Sequence, residues 1–143
     1  VPGQDMVSAL RDSSGAPLAV LAARETGLLD QRRLWREALF AVADRRQDPL
    51  VAAASVTKET VAEWLRNYLG VLHQILRALA GFETETGVSK LARVMQPVAI
   101  EALVAEVIEA QRRLQSNANP QLLIESLMIS WWRRASMSVA PRR

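Results

Sequence analysis

Between Val61 and Leu79, apolar residues recur at intervals of three and four: Val61, Trp64, Leu65, Tyr68, Leu72, Ile75, Leu76 and Leu79. That spacing draws one stripe along an α-helix of about five turns, and no alternating strand produces it. The same rhythm returns behind Pro97, in Ile100, Leu103, Val104, Val107, Ile108 and Leu114. It also runs through Leu28, Leu34 or Trp35, Leu39 and Val42. Three such stripes need one another to bury their apolar sides. With 50% hydrophobic residues in a chain of 143, one sizeable core is within reach. Alanine and leucine dominate, and glycine and proline number only six each, so the expected fold class is all-α, a helical bundle.

Helix-ending signals divide the chain. Residues 2–12, with Met6, Val7 and Leu10, read as a short helix broken by "DSSGAP". Pro17 suits the first turn of a second helix, which is expected to end at Gly27. A longer helix follows over about 28–45. Asp48-Pro49 then opens a short helix through about Ser55. Thr57 is a candidate cap for the next, with Thr60 where a glutamate or glutamine completes a capping box, and Gly81 is its expected stop. The polar connection "GFETETGVSK" follows, and residues 88–94 add a helical turn. Asn119 and Pro120 are a preferred cap and first residue for the last helix. The tail "ASMSVAPRR" reads as frayed. The chain opens on Val1-Pro2, as a piece of a longer protein does.

Catalytic templates find no purchase. The absence of cysteine removes disulfides, thiolate metal sites and thiol nucleophiles, and fits the cytosol. His73 is the only histidine and sits mid-helix, where a structural role is the simpler reading. Glu83 and Glu85 fall in a polar connection and read as solvated. No Gly-rich phosphate loop or metal-ligand cluster is present, so no cofactor is expected. The net charge of +3 comes from arginine, since Lys58 and Lys90 are the only lysines. Pairs such as Arg32-Arg33, Arg45-Arg46, Arg112-Arg113 and Arg133-Arg134 are spread out and interspersed with acids. They read as solvated faces rather than a nucleic-acid stripe. The four tryptophans sit among aliphatic residues and read as core. No apolar run approaches the roughly 20 residues that span a bilayer.

The last helix is different. On a wheel of 100° per residue, Leu122, Leu123, Ile124, Leu127, Met128, Ile129, Trp131 and Trp132 cover most of the circle. Ser126, Ser130 and Arg133 leave a narrow polar strip. A helix apolar nearly all round is covered on more than one side. Either its own domain surrounds it, or one face meets a neighbouring subunit. Leu123, Leu127, Trp131 and Trp132 are the candidate interface residues, undivided at this stage between inward and outward.

The stretch "NANPQLLIESLMISWW" resembles the closing helix of bacterial clamp-loader subunits, in which an N-P-x-L-x-x-E-x-L-L-x-x-W pattern recurs. Asn119, Pro120, Leu122, Glu125 and Leu127 match it. "SSGAPLAVLAARETGLLDQRRLWREAL", "RRQDPLVAAAS" and "WLRNYLGVLHQILRALAG" are similar, in this order, to stretches of the delta-prime subunits of DNA polymerase III. The resemblance covers almost the whole chain. It implies residues 1–27 as the end of a AAA+ lid and residues 28–143 as a helical collar domain. Five such collars hold together the pentamer that loads the sliding clamp onto primed DNA in the bacterial cytoplasm, using ATP.

The implied partners are the gamma/tau and delta subunits, met through the collar, with DNA touched only indirectly or weakly. No catalysis is implied for this part. Delta-prime subunits generally do not hydrolyse ATP. Relatives that use it often carry an arginine three residues after the glycine of "GAPLAVL", where Leu18 stands here. The arginine finger and any zinc-binding segment belong to the N-terminal module. Alternatives are the collar of a gamma/tau or delta subunit, or a helical nucleic-acid-binding module. A nucleic-acid binder would lose affinity steeply with salt, whereas apolar collar packing would not.

Overall fold

Caps and prolines set where the helices begin. The computed structural model describes residues 18–135, with side chains from Gly27 onward. The expected helix over 2–12, its "DSSGAP" break, Pro17 and the tail from residue 136 lie outside the described residues. Six helices follow in order: α1 Leu18–Ala43, α2 Pro49–Ala54, α3 Val61–Leu79, α4 Thr86–Val94, α5 Pro97–Gln115 and α6 Pro120–Arg134. No strand occurs among the described residues, so the fold is the all-α bundle that the apolar spacing predicts. Proline stands at the start of α2, α5 and α6, where its missing N–H leaves no helical bond unmade. Asp48 caps α2 by accepting from the N–H groups of Leu50 and Val51, and Asn119 caps α6 by accepting from Leu122 N–H.

Three expected boundaries are corrected. α1 runs straight through Gly27, which carries no left-handed backbone and so does not act as a stop. Helix formers flank it on both sides, and one glycine in a helix costs only about 1 kcal/mol. α1 ends at Ala43 rather than near residue 45. Thr57 does not cap α3 directly. Its N–H donates to Thr60 Oγ1 at 3.0 Å in the turn before the helix, and Thr60 occupies the cap position. The threonine hydroxyl thus makes the reach-back bond that glutamate or glutamine makes in a capping box. The short helix expected near residues 88–94 is α4, which begins slightly earlier.

The chain divides into two compact units, residues 1–34 and 35–143, and the division falls within α1. In the first unit Leu28, Leu29 and Leu34 are exposed, and Arg33 pairs with Asp30 at 3.9 Å. The second unit holds the core. Trp35, Leu39 and Val42 of α1 are buried, so Trp35 takes the core position for which Leu34 was the alternative. From α3 come Val61, Trp64, Leu65, Tyr68, Leu72 and Ile75, as expected, with Val71 in addition. α5 contributes Ile100, Leu103, Val107 and Ala110, whereas Ile108 is exposed, contrary to expectation. Each turn of 3.6 residues gives the core one or two places, and Val107 and Ala110 already fill those beside Ile108.

Three helices end on a left-handed residue: Arg45 (φ 63°) after α1, Gly81 (φ 98°) after α3 and Asn117 (φ 66°) after α5. After each, the next N–H reaches back across the last turn: Arg46 to Ala41, Phe82 to Arg77 and Ala118 to Arg113. This pairing caps carbonyls that the helix leaves open. Glycine and asparagine take the conformation readily. Arginine does so at a cost of about 1–2 kcal/mol.

Candidate subunit interface on the last helix

α6 is held to the bundle along one side. Ile124, Leu127, Met128 and Trp131 are buried, and their three- and four-residue spacing keeps them within about 100° of arc. Trp131 is fully buried, and its indole N–H donates to the Leu39 carbonyl of α1 at 2.8 Å. Its ring meets Tyr68 edge-on at 5.7 Å between centroids, and Tyr68 in turn packs 5.0 Å from Trp64. Edge-on rings put the positive rim of one against the negative face of the other. On another side, the Gln121 side chain donates to the Ala53 carbonyl of α2 at 3.3 Å.

The remaining circumference is only partly covered. Leu122 is 62% exposed and Trp132 36% exposed, while Leu123 and Ile129 are half-buried. The four candidates therefore divide. Leu127 and Trp131 are core residues, Leu123 lies at the edge and Trp132 faces outward. Leu122 and Ile129 join Trp132 on the outward side, although they were not among the candidates. The spacing of the buried four points to them, because positions 122 and 129 fall on the opposite arc of the wheel.

Two of the grooves beside this face hold its half-buried apolar residues. One, of about 410 Å3, lies between α5 and α6 and is lined by small residues such as Ala105, Ser126 and Ser130 together with Leu123 and Leu127. The other, of about 490 Å3, lies between α6 and the α1–α2 turn, with Leu50, Ile129 and Trp132 in its lining. The Arg45 guanidinium sits over the Trp132 ring, 4.3 Å from its centroid. Trp132 is thus the exception among the tryptophans, since Trp35, Trp64 and Trp131 are core.

The charged groups mostly meet each other. Arg46 pairs with Asp44 at 2.8 Å and Arg134 with Glu106 at 3.7 Å. Glu85 lies beside Arg36, whose guanidinium also donates to Gln74 at 2.6 Å, so it is engaged rather than simply solvated. Glu83 and His73 are exposed. Among the described residues no helix is long and apolar enough to cross a membrane, and no group of three or more potential metal ligands forms.

Glu109 receives two hydrogen bonds from Arg112, at 3.1 and 2.6 Å, and one from Arg113 at 3.0 Å. Those bonds, Arg112 first, lower its pKa to about 2. A depressed carboxyl favours the folded state above its ordinary range, and that contribution disappears as pH falls through about 2. An NMR titration should find the Glu109 midpoint near 2, and Arg112→Gln should raise it toward ordinary carboxyl values. A wild-type midpoint already in the ordinary range contradicts the pairing.

The family described as "DNA polymerase III, delta subunit, C terminal" matches residues 26–133. The chain belongs to this family. The matched span takes in the core-forming part of α1 and all of α2 to α5, and stops one residue short of the end of α6. Members of this family are clamp-loader components of the DNA polymerase III complex, and membership implies contact with other clamp-loader subunits. No curated protein and no solved structure matches the chain.

Proposed function

We propose that this domain is the oligomerisation collar of a delta-prime-type subunit, residues 28–143, following the end of a lid in residues 1–27. It holds the clamp-loader pentamer together in the bacterial cytoplasm while the complex places the sliding clamp on primed DNA. One observation carries the reading: within a domain of the delta family, α6 leaves Leu122 62% exposed and Trp132 and Ile129 only partly covered, outside its buried arc. Large apolar side chains grouped on a surface mark a contact with another protein.

The delta-prime assignment rests on the ordered stretches that resemble those subunits. The proposal gives this chain no nucleotide and no catalytic step. Leu18, the first residue of α1, offers no charge to a phosphate. The arginine pairs favour weak DNA contact at most, since Arg33, Arg46, Arg112, Arg113 and Arg134 stand in ion pairs within the chain.

The test is to mix the chain with purified gamma/tau and delta subunits and weigh the product by size exclusion with light scattering. The chain should elute within the heavier assembly. Elution apart from both subunits contradicts the collar reading.

A further inference from the structure

α4 carries Gly87, Lys90 and Val94 at intervals of three and four, one stripe along the helix, while Val88 and Leu91 turn into the core. The stripe meets the last turns of α1, where Phe40 lies half-buried. A Cβ at Gly87 would come 3.1 Å from the Phe40 ring, so the missing side chain lets the ring lie close against α4. An open groove of about 500 Å3 runs here, with Phe40 and Val94 as its apolar walls and Arg46, Lys90 and Arg93 as its cations.

The acids nearby are already engaged. Asp44, in the same lining, accepts from Arg46 at 2.8 Å. Glu85 pairs with Arg36, whose guanidinium lies 5.4 Å from the centroid of the Phe40 ring. Lys90 and Arg93 are exposed, and among the described residues they form no ion pair or side-chain hydrogen bond. Asp44 and Arg46 cancel, so the groove keeps the two charges of Lys90 and Arg93 beside an aromatic wall. Arg93 stands in the last turn of α4, where a cation suits the helix dipole, but Lys90 lies before that turn.

We propose that this groove binds an acidic segment of another protein, in which two carboxylates meet Lys90 and Arg93 and an apolar side chain rests against Phe40 and Val94. Residues three apart on a helix stand about 5–6 Å from each other at Cβ. Alternate residues of an extended chain share one side at roughly 6.6 Å, a spacing that long lysine and arginine side chains span. Nucleic acid is disfavoured, because a phosphate strand follows an extended basic track. Here Asp44 in the groove and Glu85 at the start of α4 interrupt it. Among the described residues α6 lends none to this lining, so the inference goes beyond the collar reading and stands apart from it.

The test is fluorescence anisotropy of the chain with a labelled peptide that carries aspartate, aspartate and leucine at every second position, with serine between, so that an extended chain puts all three on one side. The peptide should bind saturably below about 1 mM. Asparagine in place of its aspartates should weaken binding by about tenfold, and serine in place of its leucine by about threefold. The double variant Lys90→Glu with Arg93→Gln should bind at least about tenfold more weakly. It should melt within about 4 °C of wild type, since both side chains are exposed and glutamine keeps an acid out of the last turn. Absence of saturable binding, equal binding of the asparagine peptide, or full affinity in the double variant overturns the proposal. Equal binding of the leucine-free peptide reduces the contact to bare charge and overturns the groove as the site. A fall in melting that matches the loss of affinity returns the two cations to a folding role and overturns it too. Tighter binding of a labelled oligothymidylate, lost in the same variant, makes the ligand a phosphate and also overturns it. None of these measurements involves gamma/tau or delta subunits, so failure of the collar reading leaves them unchanged.

Discussion

Trp131→Ala is expected to cost the folded domain about 3–5 kcal/mol. The ring is fully buried between α1, through its hydrogen bond to Leu39, and α3, through its edge contact with Tyr68. Alanine leaves a cavity where these helices meet and removes the bond to the Leu39 carbonyl. For a unit of this size each kcal/mol shifts melting by roughly 4 °C, so Tm should fall by about 12–20 °C. Trp131→Phe keeps much of the apolar volume and should fall between the two proteins. Thermal denaturation followed by circular dichroism checks both. A Trp131→Ala protein that melts within about 4 °C of wild type contradicts the placement of this ring at the centre of the core.

Trp131 also shows where sequence reading stops. Spacing found α1, α3 and α5, because a stripe at intervals of three and four has one geometric meaning, and cap and proline signals found α2 and α6. Asp48, Asn119 and Gly81 act at helix ends as their residue types predict. Gly27 does not, because a glycine stops a helix only when the chain beyond turns away, and here helix formers continue on both sides. On α6 the wheel showed too much apolar surface for a narrow polar strip, but it could not say which arc the neighbouring helices cover. That depends on how α1, α3 and α5 approach, which is a property of the packed bundle. The indole bond from Trp131 to Leu39 and the edge contact with Tyr68 fix that arc. Arg45 was illegible for a different reason. Nothing in an arginine signals a left-handed backbone, and its ring partner Trp132 lies 87 residues away in the chain.

The outward arc should behave in the opposite way. Leu122→Asp combined with Trp132→Ala is expected to leave the fold nearly intact. Leu122 lies in the first turn of α6, where an acidic side chain is favoured by the helix dipole. Trp132, 36% exposed, gives up its stack with Arg45, about 0.5–1 kcal/mol, and a share of ring packing well below that of the fully buried Trp131. If the collar reading holds, the same two residues are anchors in the assembly, and their joint loss should weaken binding by about 2–4 kcal/mol, roughly 30- to 1,000-fold.

The central claim is that α6 uses one arc to fold and another to assemble. Its most direct test is the dissociation constant of this double variant for the purified gamma/tau and delta subunits, measured beside its melting temperature. The expected result is a protein whose melting falls by far less than that of Trp131→Ala and that assembles at least about 30-fold more weakly. Wild-type affinity in the double variant, or a loss of affinity that only follows a loss of melting, contradicts the claim that the outward face of α6 is a subunit interface.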